Sequence, residues 1–245
     1  MQIKSIGIIG SGRFAGLLKN IFKQHLSGTK LMIYSRSHRP DRKLFFQLNE
    51  VCQAELIIPC VPISAFQEVL RQIRPIISPE STVMDVCSVK VYPVKWLRST
   101  LGKSTKIIAS HPVFGPDSTK NGNELKDMNL MLYNISADKK LYQNIKNFWK
   151  KLGVNVVEIT PEEHDRFSAY TINYNHLIGR IGERIGIKPT PIDTKGFKVI
   201  YDALQYVTND SWQLFADMQV YNPYAKEMRK KVARALREIE AKLEK

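Results

Sequence analysis

Short apolar runs alternate with amphipathic stretches along the first 158 residues, and the two patterns predict different elements. The apolar runs predict strands at 5–10, 30–35, 56–60, 82–86, 106–110, 129–134 and 155–159. The amphipathic stretches predict helices at 14–24, 65–73, 94–101 and 141–152. Several strands are almost continuously apolar, as expected of strands buried on both faces of a parallel sheet. The alternation predicts an α/β chain with a Rossmann-like, doubly wound and mainly parallel sheet.

The pattern changes near residue 160, where Thr160-Pro161-Glu162-Glu163 reads as a capping box with proline at the first helical position. No strand pattern follows, and helices are predicted at 162–185, 194–207, 211–221 and 223–243. We therefore predict a Rossmann domain over 1–158 and a small all-helical domain over 159–245. So short a domain has a thin core. We expect it to gain burial by packing against the sheet domain or a second subunit. We predict a homodimer formed through this helical domain.

A glycine-rich loop follows the first predicted strand and opens the first predicted helix. Its sequence, Gly10-Ser11-Gly12-Arg13-Phe14-Ala15-Gly16, fits the dinucleotide fingerprint in the context that the fingerprint requires. Gly10 permits the tight turn, Gly12 lets the backbone approach a pyrophosphate, and the helix start attracts the anion. An ordinary glycine-rich turn is the alternative. The predicted cofactor contacts in and near this loop are Gly10, Ser11, Gly12, Arg13, Phe14 and Pro62.

The end of the second strand indicates which dinucleotide is bound. NAD-binding chains usually place an acid there to hold the ribose 2′-hydroxyl, whereas this segment reads Tyr34-Ser35-Arg36-Ser37-His38-Arg39. Ser35 and Ser37 can donate to a 2′-phosphate, and Arg36 can pair with it. The alternative interpretation is that these cations only keep an exposed loop hydrated. We predict NADP as the cofactor in preference to NAD.

Two further strand ends carry polar clusters, at residues 85–90 and 110–116. In an open parallel sheet, ligands bind beyond the carboxyl ends of the strands. His111 is therefore a candidate general base, Ser88 can orient a hydroxyl beside it, and Lys90 can neutralise a substrate carboxylate. Each residue also has a structural interpretation, since His111 can be a loop histidine and Lys90 a surface charge at a helix start.

The net charge raises a second class of partner. The 245 residues include 37 Lys or Arg and 23 Asp or Glu, a formal charge of +14, and residues 1–50 hold nine of those cations against two acids. A DNA-binding face or a bound small polyanion would each account for this excess. A composition of 43% hydrophobic residues excludes a disordered chain.

The location is predicted from the cysteines and the start of the chain. Cys52, Cys60 and Cys87 form an odd set without metal-ligand spacing, so no disulfide scaffold or metal site is indicated. No apolar run is long enough to span a membrane, and the start does not read as a signal peptide. We expect a cytoplasmic protein.

Six segments occur in an order that resembles the prephenate/arogenate dehydrogenases, most closely the short plant-type arogenate dehydrogenases. They are Gly-Ser-Gly-Arg-Phe-Ala-Gly, Tyr-Ser-Arg-Ser, Ser-Val-Lys, His-Pro-Val-Phe-Gly-Pro, Glu-Glu-His-Asp and Thr-Pro-Ile-Asp-Thr-Lys-Gly-Phe. The resemblance implies NADP-dependent oxidative decarboxylation of arogenate to tyrosine, of prephenate to 4-hydroxyphenylpyruvate, or of both. It implies His111 as the base on the ring 4-hydroxyl and Ser88 beside it.

Substrate contacts are expected from the helical domain as well. The resemblance implies a pocket role for His176, and Lys195 is a candidate partner for a substrate carboxylate. Asp165 precedes His176 by eleven residues, which places the two about 20° apart on one continuous helix. A carboxylate there would favour arogenate's ammonium, although complementing the helix dipole is the alternative. No arginine occurs between Arg184 and Arg229, so the carboxylate clamp of many bacterial relatives is not expected.

Two other classes of function remain open from the residues alone. Another Rossmann reductase of a small acid or imine would place a catalytic Lys or Asp on the interdomain helix, where no lysine occurs before Lys188. A nucleotide-sensing or nucleic-acid-binding protein would use the basic last helix. That helix also carries three glutamates, with a fourth directly after it, and an apolar stripe, which argues against nucleic acid as a partner.

Overall fold

The computed structural model describes residues 3–244, which form two compact units divided between Pro161 and Glu162. The division falls three residues beyond the boundary predicted after residue 158. Within residues 3–244, no helix has the length and apolar character to cross a membrane.

The first unit is built on one seven-stranded sheet. Its strands are β1 (Ser5–Ile9), β2 (Lys30–Tyr34), β3 (Leu56–Pro59), β4 (Thr82–Asp85), β5 (Lys106–Pro112), β6 (Asn129–Asn134) and β7 (Asn155–Val157). They lie in the order β2-β1-β3-β4-β5-β6-β7. All pairs are parallel except β5 with β6. The predicted Rossmann-like, mainly parallel sheet is therefore confirmed, because β1 lies between β2 and β3 and the chain reverses its direction of winding there.

The antiparallel pairing of β6 was not predicted. The connection from β5 to β6 holds only a short 3-10 helix, Lys120–Gly122, in place of the crossover α-helix that parallel neighbours usually require. The pairing also lengthens β5 beyond its predicted end at residue 110, because His111 pairs with Met131 and Pro112 with Leu130.

Helices cover both faces of this sheet and bury its apolar residues. They are α1 (Arg13–His25), α2 (Leu48–Val51), α3 (Ile63–Ile73), α4 (Val91–Leu101) and α5 (Lys139–Lys151). Ile6 and Ile8 of β1 are fully buried in a core that also contains Leu18 of α1 and Trp149 of α5. The four predicted helices are present, and only α2 was missed. Its four residues are too few for helical periodicity, and a Gln47–Glu50 capping box stabilises it.

Among its described residues, the regular secondary structure of the second unit is all helical, as the predicted second domain requires. Its helices are α6 (Pro161–Tyr170), α7 (Ile172–Arg184), α8 (Lys195–Thr208), α9 (Trp212–Tyr221) and α10 (Ala225–Leu243). Its core includes Leu204, Phe215, Met218 and Met228.

The single helix predicted over 162–185 is wrong. Thr171 interrupts it with φ −118° and ψ −82°, and its hydroxyl donates to the carbonyl of Phe167. Threonine side chains offer the backbone such local alternatives to helical hydrogen bonds. Asp165 and His176 consequently lie on different helices, and the angular argument that placed them on one face does not hold.

Candidate active site

The loop between β1 and α1 has the geometry that a bound pyrophosphate requires. Gly10 has φ +115°, and a Cβ at this position would lie 2.2 Å from the carbonyl oxygen of Cys60. Only glycine fits there. Gly12 caps α1, and a Cβ built on it meets no atom within 4 Å, so this side of the loop is open. Open space beside the start of a helix fits the phosphates of a dinucleotide.

Arg13 and Phe14 differ in what they offer a cofactor. Arg13 begins α1, and its Nη2 lies 2.6 Å from Oδ1 of Asp117 in the loop after β5. This half-exposed pair links the glycine-rich loop to the segment that follows His111. Phe14, the other predicted cofactor contact, packs partly buried against the core of the sheet. Pro62 is the exposed N-cap residue of α3, directly after β3.

The turn after β2 gathers the predicted 2′-phosphate contacts. The hydroxyl of Ser35 lies 2.8 Å from that of Ser11 and 2.9 Å from that of Ser37, so three serines from two loops converge. Arg36 and Arg39 are exposed and make no hydrogen bond or ion pair with any residue that the structure describes. The turn therefore presents hydroxyls and unpaired positive charge at one place.

A buried ion pair joins the ends of β4 and β5. Lys90 and Asp85 are both fully buried, and the ammonium contacts Oδ1 of Asp85 and the backbone carbonyl of Ser110. The hydroxyl of Ser110 donates to the carbonyl of Asp85, at 2.5 Å. Burial raises the pKa of Asp85, and the adjacent ammonium opposes that rise. This network ties residue 110, directly before His111, to the turn that carries Ser88.

This placement argues against the predicted contact between Lys90 and a substrate carboxylate. An ammonium with no exposed surface, already neutralised by Asp85, has no face to offer a solute. The signal for its partner lay five residues upstream in the same cluster, but the sequence alone does not reveal that the turn folds Lys90 back onto Asp85.

Ser88 and His111 occupy neighbouring strand ends. Ser88 is half-buried in the turn after β4, whose start is fixed by the Cys87 amide donating to Asp85 at 3.0 Å. His111 lies in β5 and is 5% exposed. Because β4 and β5 are parallel neighbours, both residues lie at the carboxyl edge of the sheet, as does the glycine-rich loop.

Asp165 is a buried residue of the second unit. It is fully buried in α6, its Oδ1 lies 2.8 Å from Nδ1 of His164, and its backbone carbonyl accepts from Asn222. The acids of the first helical turn are Glu162 and Glu163, so complementing the helix dipole falls to them. A carboxylate with no exposed surface also argues against the predicted contact of Asp165 with a substrate ammonium.

His176 is a neutral imidazole at physiological pH. It is 7% exposed in α7, and its Nδ1 has no hydrogen-bond partner among the residues that the structure describes. Burial, together with the nearby Arg180 guanidinium, lowers the pKa of His176 to about 4. The Asp210 carboxylate, 3.9 Å from Nε2, opposes this shift, but at that distance it does not offset the loss of hydration. His176 can therefore offer a ligand hydrogen bonds but no positive charge.

The stability of the second unit is expected to fall as the pH drops from about 6.5 towards 4. The unfolded chain takes up the His176 proton near pH 6.5, whereas the folded chain resists protonation until about pH 4. The contribution of neutral His176 to the free energy of unfolding is therefore complete above pH 6.5. It decreases as the pH falls towards 4, and the full loss is about 3 kcal/mol. Urea unfolding at pH 7 and pH 4.5 measures this loss.

The His176→Asn variant is the comparison that assigns the effect. It should lose less stability than the parent between the two pH values, whereas His25→Asn, at an exposed position on α1, should behave as the parent does. An equal loss in the parent and in His176→Asn would contradict the assignment.

Lys195 begins α8 within an ordered turn. Thr194 caps this helix by accepting from the amide of Phe197, and Asp193 accepts from both the amide and the hydroxyl of Thr190. The Lys195 ammonium is exposed and makes no bond with any of residues 3–244. It remains the predicted carboxylate partner. Arg229 is engaged within the unit, since it donates to the backbone and side-chain oxygens of Gln219.

Sequence reasoning missed three residues that shape the site. Asp85 neutralises Lys90, Asp117 pairs with Arg13, and the His38 ring lies 3.1 Å from the Ser37 hydroxyl. Asp85 and His38 lie within segments already identified as candidate sites, so the residues themselves were visible in the sequence, but their interaction partners were not. Asp117 lies 104 residues from Arg13, and no local pattern connects them.

Comparison with known proteins identifies relatives of both units. The family model described as "Prephenate dehydrogenase, nucleotide-binding domain" matches residues 17–158, and the one described as "TYRAAT1-like, C-terminal domain" matches residues 181–245. "Arogenate dehydrogenase 1, chloroplastic" of Arabidopsis thaliana is 32% identical over 235 residues, which cover 91% of this chain and 36% of that protein. "Arogenate dehydrogenase 2, chloroplastic" of the same plant is 27% identical over 250 residues, covering 97% and 69% respectively.

A solved structure shares the fold. The prephenate dehydrogenase of Aquifex aeolicus, in complex with hydroxyphenyl propionate and NAD+, superposes with a TM-score of 0.75 at 18% identity, over 98% of this chain and 91% of that chain. The chain spans only about a third of the length of the first Arabidopsis relative, so the match does not describe that whole protein. The nucleotide-binding family model, however, covers more than half of the present sequence. The chain therefore belongs to the prephenate/arogenate dehydrogenase family.

Proposed function

We propose that this protein catalyses the NADP-dependent oxidative decarboxylation of arogenate, prephenate or both, a step of tyrosine biosynthesis. The observation that carries the proposal is the placement of Ser88 and His111 at the same sheet edge as an open dinucleotide loop. The names of the two Arabidopsis relatives support arogenate as a substrate.

His111 is the general base of the proposed reaction. It takes the proton of the ring 4-hydroxyl, and the electron pair of that O–H bond becomes the second bond between carbon and oxygen as the C–H bond of the carbinol carbon breaks and its hydride leaves. A nicotinamide, when bound, would accept that hydride. The ring carboxylate leaves as carbon dioxide, the electron pair of its bond to the ring completes the aromatic system, and the carbon–oxygen double bond returns to a single bond as the oxygen recovers a proton. Ser88 donates a hydrogen bond to the same hydroxyl oxygen and orients it towards His111.

NADP is the proposed cofactor because the turn after β2 offers no available carboxylate to hold a ribose hydroxyl. Asp41 is the sole acid between Tyr34 and Phe45, and its Oδ1 accepts from the amides of Lys43, Leu44 and Phe45. Those backbone donors lower the pKa of Asp41 and commit its carboxylate to its own loop. Arg36 and the serines are then the groups that a 2′-phosphate would meet.

The second unit is proposed to bind substrate and to form a homodimer. His176 and Lys195 are its proposed substrate contacts. Fifteen of the eighteen exposed large apolar side chains among the described residues belong to this unit, an excess that favours burial against a second copy. Light scattering that gives the mass of one chain in solution would oppose this. A cytoplasmic location is proposed from the free thiols of the three cysteines.

Four assays test the proposed activity, with arogenate or prephenate as substrate and NADP or NAD as cofactor. We expect reduction of NADP with at least one substrate, accompanied by tyrosine or 4-hydroxyphenylpyruvate in equal amount. Preference for NAD would overturn the cofactor assignment alone. No reduced cofactor with either substrate, from a folded protein that binds NADP, would overturn the reaction.

A further inference from the structure

The turn after β2 contains a histidine that is held in a defined orientation. The ring of His38 stacks on that of Phe45, with centroids 4.3 Å apart and an angle of 2° between the planes. Its Nδ1 lies 3.1 Å from the Ser37 hydroxyl and 3.5 Å from that of Ser11. Two contacts of different kinds therefore fix one exposed imidazole beside the three converging serines.

The platform beneath the ring is itself anchored. Phe45 packs partly buried against the core. Its two neighbours are bonded to the strand: the amide of Ile33 donates to the carbonyl of Leu44, and the amide of Phe46 donates to the carbonyl of Ile33, each at 2.9 Å. The carboxylate of Asp41 holds the same loop through three amides. The ring is thus stacked on a part of the molecule that is fixed to β2.

One direction of the hydroxyl chain places the proton of this imidazole on Nε2. Ser35 Oγ accepts from the Ser37 amide at 3.3 Å, and the hydroxyls of Ser11, Ser35 and Ser37 follow one another within 2.9 Å. If the chain runs from Ser11 through Ser35 and Ser37, the last hydroxyl donates to Nδ1 of His38. Nε2 then carries the hydrogen. Among the described residues, this nitrogen has no hydrogen-bond partner.

We propose that His38 is a specificity-determining residue, whose Nε2–H donates to the 2′-phosphate of NADP. The inference rests on the proposed NADP preference and adds to it a donor outside the Ser35–Ser37 segment. Serine hydroxyls and Arg36 supply the other contacts, and the stacked ring supplies a donor that loses little conformational freedom on binding. NAD, which lacks the phosphate, gains nothing from it.

A structural role for His38 makes a different prediction. If the ring only braces the turn, its loss disturbs the whole adenosine site and weakens every adenine nucleotide alike. If it donates to the phosphate, its loss weakens only ligands that carry the 2′-phosphate. The probes 2′,5′-ADP and 5′-AMP differ in that group alone, so their affinities separate the two roles.

The test is equilibrium binding of both probes, by calorimetry, to the parent and to three variants. His38→Phe keeps a ring for stacking on Phe45 and removes the donor, and His38→Gln restores an N–H donor. His25→Phe is the matched control, the same substitution at an exposed position on α1. We expect His38→Phe to weaken binding of 2′,5′-ADP by about tenfold or more, while binding of 5′-AMP changes less than twofold. His38→Gln should fall between, and His25→Phe should bind as the parent does.

Three results would overturn the inference. An equal loss of both probes in His38→Phe would make His38 a brace, and an undiminished preference for 2′,5′-ADP would remove it from the site. In both cases the parent still prefers the 2′-phosphate, so the NADP proposal survives. A parent that binds the two probes equally would overturn the NADP preference, and the role of His38 with it.

Discussion

Replacing His111 with asparagine is expected to lower the turnover number by about 10²–10⁴-fold, the usual contribution of a positioned general base. Asparagine is close in size and keeps a polar group at this 5%-exposed position in β5, but it does not accept the proton of the 4-hydroxyl. The Michaelis constant should change little, because the interaction is used mainly in the transition state. Steady-state kinetics with the preferred substrate and cofactor measure both quantities.

The pH profile distinguishes a lost base from a displaced strand. In the parent, the turnover number should fall at low pH as the base becomes protonated, and His111→Asn should lose that limb. Ser88→Ala should reduce turnover less and keep the limb, since the base is retained. His25→Asn serves as the neutral control. A His111→Asn enzyme with the parent's turnover number would refute the assignment.

The strands and the dinucleotide loop were predictable because their signals are local. Runs such as Leu56–Pro59 are apolar at every position, and Gly10 and Gly12 stand directly after one of them. The break at Thr171 was not predictable in the same way. The residues on either side of Thr171 have helical patterns, and a single threonine occurs within many helices without ending them.

The partners of charged side chains were the least predictable part of the site. Lys90 was expected to meet a substrate carboxylate because it follows a strand end, where ligands bind. The structure instead turns it inward onto Asp85, and it turns Asp165 inward beside His164. Burial is decided by packing between elements far apart in sequence, so composition and spacing place a charge near a site without saying whether it reaches the solvent.

Replacing Lys90 with methionine is expected to destabilise the first unit by about 3–5 kcal/mol. Methionine fills a similar volume, but it leaves the carboxylate of Asp85 fully buried without its counter-charge, and Oδ2 of Asp85 already lacks a hydrogen-bond partner. Breaking a buried ion pair from one side has this magnitude. Midpoints of urea unfolding, compared at constant slope, give the change in the free energy of unfolding.

The same substitution should become more costly as the pH rises. Burial already raises the pKa of Asp85, and removing Lys90 takes away the main influence that opposes the rise. A carboxyl whose pKa is higher in the folded than in the unfolded state stabilises the fold while protonated, and that contribution is lost as the pH passes upward through the folded-state value. The loss caused by Lys90→Met should therefore be smaller near pH 5 than near pH 8.

Two further variants decide whether the uncompensated charge is the cause. Removing the carboxylate as well, in Asp85→Asn/Lys90→Met, should recover most of the lost stability, since replacing both members of a buried pair is often close to neutral. Lys106→Met, which breaks the surface pair of Lys106 with the exposed Glu80, should leave the midpoint almost unchanged. If the double variant is as unstable as the single one, the cause is the lost hydrogen bond from the Lys90 ammonium to the Ser110 carbonyl. The instability would then come from the broken link between the ends of β4 and β5, and not from the buried charge of Asp85.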